Sequence, residues 1–147
     1  AAFFALYGGK NGALPLIKGL KPDKETAFLV CAATDAVYSN ALSSAEDIAF
    51  TVSKYGAFVF GCMLDFARSM GRKVYSKADA LLPLLQSNSL PRSVSELRVG
   101  GNELIAIGIK AGNDIGRVLN HLFVQCYKGL PNEKALLIQA ATDYYFN

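Results

Sequence analysis

Gly108, Gly112 and Gly116 recur at four-residue spacing around Lys110, and Arg117 follows directly. A glycine-rich break that opens a helix exposes backbone N–H groups, and the helix dipole adds positive potential at the same point. With Lys110 and Arg117 beside it, the stretch 108–117 has the parts of a phosphate cradle built on Gly112 and Asn113. Each glycine has its own expected task. Gly108 ends one helix with a positive φ, Gly112 takes the N-cap of the next, and Gly116 lets another backbone come close. Asp114 works against a phosphate, because a first-turn carboxylate can take the same N–H groups. A tight helix–helix connection without ligand is the competing reading. The hinge also has the loose form of a helix-hairpin-helix element, a device for holding nucleic-acid backbone.

Catalytic signatures are missing. There is no Asp-x-Asp metal pair, no Gly-Ser nucleotidyltransferase signature, no Walker lysine loop and no His-Glu-x-x-His. Gly8-Gly9-Lys10 lacks the remaining P-loop spacing and reads as a turn. His121 is the one histidine, so acid/base chemistry at neutral pH would rest on it alone. Its place beside the apolar stripe of its helix suggests packing instead. Cys31, Cys62 and Cys126 are widely spaced, form no Cys-x-x-Cys and sit among apolar neighbours. They read as buried thiols of a reducing cytosol, and no metal site is expected.

The elements that must position the hinge are helices. No alternating apolar pattern bounded by hairpin turns occurs, so the expected fold is all-α: a multi-helix body followed by a small helical tail module. A short helix is expected over 2–7, a turn at 8–12 and a second short segment to Leu20. Asp23 caps a helix over 24–39, with Ala27, Val30, Cys31 and Val37 or Tyr38 on one face. Thr34 on that face can bond a carbonyl one turn back. Ser43-Ser44-Ala45-Glu46 has the form of a capping box for a helix over 44–54, and Gly56 closes it. Residues 57–70 are apolar nearly all round, which predicts a central helix. A helix over 75–87 meets Pro83, and Pro91 stops any helix beyond the polar stretch Gln86–Ser89. The regions are therefore 1–89, body-like, and 90–147, tail-like. Tail helices are expected over 101–108, 113–128 and 132–144, with Gly129 at a positive φ and Asn132 capping the last. Leu119, Leu122, Phe123, Cys126 and Tyr127 form one buried stripe, and Leu136, Leu137 and Ala140 another.

The 147 residues are 52% hydrophobic and 18% charged, apolar for a free-standing soluble domain. The chain opens inside an apolar segment, so a domain excised from a larger protein is expected. The net charge is +3, and all of it lies in 72–147, which hold nine basic and six acidic residues. That weak basicity permits an anionic partner without requiring one. No apolar run reaches the roughly 18 residues of a membrane span, and no secretory signal is present, so the expected location is cytoplasmic.

Spacing over a longer stretch adds a resemblance. Gly101-x-Glu103-Leu104, Gly108-Ile109-Lys110-x-Gly112, Ile115-Gly116-x-x-Leu119 and Gly129-x-Pro131-Asn132-Glu133 together resemble the C-terminal tail of bacterial tRNA nucleotidyltransferases. These are the CCA-adding enzymes, grouped with bacterial poly(A) polymerases. Ser93-Val94-Ser95-Glu96-Leu97 resembles the segment leading into that tail, and a fainter likeness reaches back to Gly19-Leu20-Lys21-Pro22. Ala111 and Asn113 stand where the family usually has prolines, and Glu103 where it usually has Asp. The catalytic head of the family, with its metal-binding carboxylates and nucleotide-selecting residues, has no counterpart here.

The resemblance implies a parent that adds C, C and A to tRNA 3′ ends with Mg²⁺ and CTP/ATP; a poly(A) polymerase parent stays open. This chain would be non-catalytic and hold no cofactor. It would hold tRNA or other structured RNA by backbone and shape, alongside the missing N-terminal head. Lys110, Gly112, Asn113, Arg117 and Lys128 are the expected phosphate contacts, with Arg92 and Arg98 on the approach. Two alternatives stand beside this: a helical protein-interaction module forming a homodimer, and a helix-hairpin-helix nucleic-acid-binding domain.

Overall fold

The computed structural model describes residues 23–39 and 41–146, the side chain of Val37 excepted. Within them the chain is all-α. Six α-helices follow in order: α1 (Lys24–Tyr38), α2 (Ala45–Ser69), α3 (Ala78–Gln86), α4 (Gly101–Ala106), α5 (Asn113–Lys128) and α6 (Lys134–Phe146). A single 3₁₀ turn, Val94–Glu96, stands between α3 and α4. The chain divides into two compact units, 1–78 and 79–147, at the start of α3. The segments expected over 2–7, 8–12 and up to Leu20 lie outside the described residues.

In the first unit, α1 packs against α2. Asp23 caps α1 by accepting the Thr26 N–H at 2.8 Å. Thr34 donates its hydroxyl to the Val30 carbonyl at 2.8 Å, so a polar side chain is buried fully paired. Tyr38, expected on the apolar face, is exposed. The cap of α2 sits one residue later than the Ser43 motif suggests. Ser44 accepts from the Asp47 N–H at 3.1 Å and donates its hydroxyl to Asp47 Oδ2 at 2.6 Å. With Ser44 as the cap, the residue three places on is Asp47, not Glu46, and its carboxylate takes the serine hydroxyl.

Gly56 breaks α2 with φ 83° and ψ 163°, values no L-residue adopts cheaply. Beyond it, Phe60, Met63, Leu64 and Ala67 are buried while Phe58 is 81% exposed. The 57–70 helix is therefore not enclosed all round. Its 3.6-residue period puts one face into the core and leaves Phe58 and Cys62 outside. Cys62 is thus an exposed thiol and Cys31 a half-buried one; Cys126 alone is buried as expected, and its burial pushes the thiol up to about 11. Asp35 is the buried charged residue among the described residues of this unit. It accepts from the Tyr55 hydroxyl and pairs with Lys54 at 3.0 Å. A carboxylate that deep is tolerable only with such partners.

In the second unit, α5 is the central element. Val118, Leu122, Phe123, Val124, Cys126 and Tyr127 are its buried face, while Leu119 is half-buried. It packs on α4, α6 and the 3₁₀ turn. Leu137 and Ala141 are the buried residues of α6, and Leu136 is exposed. The Tyr127 hydroxyl donates to the Pro91 carbonyl at 2.9 Å from a buried position. Asn132 does not cap α6. Its Oδ1 accepts from the Arg98 N–H and its Nδ2 donates to the Glu96 carbonyl, both at 3.0 Å. The side-chain amide copies a backbone peptide and is committed to the 96–98 segment. Tyr127→Phe removes one donor and leaves the Pro91 carbonyl unpaired, so it should destabilise the unit by about 1–2 kcal/mol in urea denaturation. An unchanged midpoint would show that the bond contributes nothing.

Candidate functional site

The hinge forms as a glycine-controlled turn. α4 ends at Ala106, and Gly108 follows with φ 97°; its N–H bonds the Ile105 carbonyl at 2.9 Å. Gly112, φ 106° and ψ −137°, is the N-cap of α5, and no side chain caps that end. Between the two, Ile109 is buried and Lys110 is exposed. An apolar anchor therefore fixes the turn while its neighbour projects outward.

Gly116 does not serve the close approach expected of it: a Cβ there would meet nothing within 4 Å. The tight contact lies at Gly101, where a Cβ would come 3.4 Å from Ile115 Cγ2. α4 and α5 thus meet at Gly101 and Ile115, one residue from the predicted glycine. Gly108 instead faces the end of α6, with Phe146 Cζ 3.6 Å from a Cβ built on it.

Asp114 turns away from the role of self-cap. Its carboxylate accepts the Tyr145 hydroxyl at 2.9 Å on Oδ2 and lies 3.6 Å from Arg117 Nη1 on Oδ1. The Arg117 side chain remains 72% exposed, so this pair is a solvated i,i+3 contact of small energetic weight. Asp114, Arg117, Val118, Tyr144 and Tyr145 line a cleft of about 280 Å³ at the start of α5. Tyr144 stacks on His121, ring centroids 3.8 Å apart and planes 11° from parallel. His121 Nε2 lies 3.2 Å from Gln125 Nε2. Histidine here is half of an aromatic pair supporting the cleft wall.

The seven expected phosphate contacts do not all converge. Lys110, Gly112, Asn113 and Arg117 belong to the hinge and the first turn of α5. Lys128 is eleven residues beyond Arg117 on the same helix, which at 1.5 Å per residue puts it about 16 Å along the axis. It is exposed in the last turn. Arg92 spends its guanidinium inside the chain: Nη2 donates to the Leu85 carbonyl at 3.2 Å and to Asn88 Oδ1. Arg98 is exposed and lines a separate groove of about 390 Å³ with Gly129, Pro131 and Asn132.

Two features of the unit have no counterpart in the sequence reading. Glu103 accepts from the Gly100 N–H at 3.1 Å and from Lys134 at 3.0 Å, tying the start of α4 to that of α6. The Lys134 bond, with help from the backbone, holds its carboxyl below the usual range. The aromatic run Tyr144-Tyr145-Phe146 reaches back to His121, Asp114 and Gly108. The visible signal was the run itself, three aromatic residues closing the last helix. Among the described residues no group of three or more His, Cys, Asp and Glu is placed to hold a metal ion.

No family model, curated protein or solved structure matches the chain.

Partial burial, and more weakly the charge of Lys128, holds the His121 imidazole below its ordinary value of 6.5. The folded state therefore resists the proton that the unfolded chain accepts. The stability His121 contributes is present above pH 6.5 and falls away as the pH drops through the lower folded value. An NMR titration of the His121 ring should give a midpoint below 6.5; a midpoint at or above 6.5 would contradict the packed, neutral ring.

Proposed function

We propose that the chain is a non-catalytic RNA-holding piece of a tRNA nucleotidyltransferase of the CCA-adding class, and that its second unit grips tRNA by the phosphate backbone. The observation that carries this is the start of α5. Gly112 leaves the helix end without a side-chain cap, and Asp114 is drawn off to Tyr145 and Arg117. Lys110 and Arg117 stand exposed on either side. That combination suits a singly bridging phosphate, which takes N–H groups and two cations at once. The likeness of Gly101–Glu133 to the CCA-adding tail supplies the substrate class. In the parent, Mg²⁺ and CTP/ATP belong to the head, and a poly(A) polymerase parent uses the same tail chemistry. No described helix is long and apolar enough to cross a membrane, and tRNA as partner puts the protein in the cytoplasm.

Lys110→Ala/Arg117→Ala should weaken tRNA binding by the whole chain about 10-fold or more in low salt. It should also reduce the slope of log K against log salt by about 1 to 2. Equal affinity for variant and wild type, or no wild-type binding at 50 mM salt, sinks the assignment. If duplex DNA competes as well as tRNA, the helix-hairpin-helix reading takes its place. A stable dimer without RNA affinity in sedimentation favours the interaction module.

A further inference from the structure

The densest positive charge of the chain lies in the other unit. Arg68, Arg72, Lys73 and Lys77 fall within ten residues that contain no Asp or Glu. The structure gives this run a definite shape. α2 ends in a Schellman turn: the Gly71 N–H bonds the Arg68 carbonyl and the Arg72 N–H the Ala67 carbonyl, both at 2.9 Å. Gly71 takes φ 66°, which reverses the chain directly after the helix. The last helical carbonyls are thus occupied, and their negative end of the dipole is partly covered. Four residues on, the Tyr75 N–H donates to the Leu42 carbonyl at 2.7 Å and pins the segment against the loop that precedes α2.

Between these two fastenings lies a groove of about 330 Å³. Ala36, Ser39, Leu42, Ser43, Gly71, Arg72 and Lys73 line it among the described residues. Leu42 and Ala36 are buried and form its apolar floor. Arg72, Lys73 and Ser43 are exposed at its sides. Among the described residues neither cation is in an ion pair, whereas Lys54 and Lys134 are each spent on a carboxylate. Ser39 already donates to the Asp35 carbonyl and accepts from the Ala41 N–H at 3.3 Å, so it is a fixed wall. The Ser43 hydroxyl makes no hydrogen bond among the described residues and is left to donate outward.

We infer that this groove binds a phosphate group of a polynucleotide backbone, with Arg72 and Lys73 supplying the charge and Ser43 a hydroxyl donor. A guanidinium offers two parallel N–H donors to a phosphate's oxygens and an ammonium adds a second cation. A phosphodiester fits better than a dianionic metabolite in a groove this open, since its neighbours along the strand continue past the rim. The inference extends the RNA-holding reading to a unit for which the sequence suggested no contact.

The test uses the whole chain and two probes, a tRNA transcript and inorganic phosphate. Arg72→Ala/Lys73→Ala should weaken tRNA binding at least about 5-fold at 50 mM salt and lower the salt slope by about 1 to 2. Arg72→Lys/Lys73→Arg should retain most of the affinity, and Lys24→Ala, a single charge on α1, should leave it unchanged. In ¹⁵N–¹H spectra, the amides of Ser43 and of 71–73 should shift on addition of tRNA, and of phosphate only at millimolar levels. An Arg72→Ala/Lys73→Ala chain that binds like wild type, a Lys24→Ala loss as large as that of Arg72→Ala, or silent amides with both probes overturns the inference. Saturation by micromolar phosphate that tRNA cannot displace assigns the groove to a small phosphorylated ligand instead, and also overturns it. The tail reading stands or falls separately on Lys110→Ala/Arg117→Ala.

Discussion

The second unit depends on satisfying the backbone of a segment that has no regular structure to do it. Between α3 and α4 the chain runs from Leu90 to Gly100 with only the turn Val94–Glu96, yet Leu90, Leu97 and Val99 are buried. Burial brings their peptide groups out of water, and each then needs a partner. Nearby backbone carbonyls, Leu84 and Val94, take the Leu90 and Leu97 N–H groups, and side chains take four of the others. Tyr127 serves the Pro91 carbonyl, Asn132 serves both the Glu96 carbonyl and the Arg98 N–H, and Glu103 serves the Gly100 N–H. All three donors or acceptors come from the helices and turn around α5. Short-range backbone bonds and these side chains together hold the segment, and so fix where α4 begins and where the hinge lies.

That constraint gives several residues of the second unit a structural meaning independent of any ligand. Asn132 is an amide because only an amide presents a donor and an acceptor in the arrangement of a peptide group. Glu103 reaches Gly100 and Lys134 together; an aspartate there would be one methylene shorter. Gly129 closes α5 with φ 117°, and the Leu130 N–H bonds the Gln125 carbonyl at 3.0 Å, which turns the chain so that Asn132 can reach 96–98. The phosphate-facing candidates are a different set. Lys110 and Arg117 hold nothing together beyond a solvated contact to Asp114.

The helical class, the caps at Asp23 and Gly112, the break at Gly56 and the Thr34 back-bond were legible in the sequence, because each follows from chemistry within one turn of helix. What was not legible required knowing which helices meet. Gly116 looked like a packing glycine because it lies one turn inside α5, but α4 crosses one residue earlier and uses its own Gly101. The 57–70 helix looked central from its composition, yet Phe58 is outside, which composition alone does not decide. Asn132 looked like a cap because local chemistry offered nothing better, while its partners stand 34 and 36 residues away. The candidate site was legible in the same proportion: the hinge and its first-turn arginine were local, and the aromatic wall from α6 was not.

The distribution of cations between structure and solvent sharpens the functional reading. A lysine or arginine that stabilises the fold has a partner: Lys54 has Asp35, Lys134 has Glu103, and Arg92 has the Leu85 carbonyl and Asn88. Replacing such a residue weakens folding and binding together, so its effect says little about a ligand. Lys110, Arg72 and Lys73 make no ion pair among the described residues. Keeping an unpaired cation beside a glycine turn or an open groove gains nothing for folding and raises the local positive potential. A protein with a net charge of only +3 cannot attract a polyanion by its overall field. Under the proposed reading the attraction is local, at points where the chain has left its charges unspent and fixed the backbone beneath them.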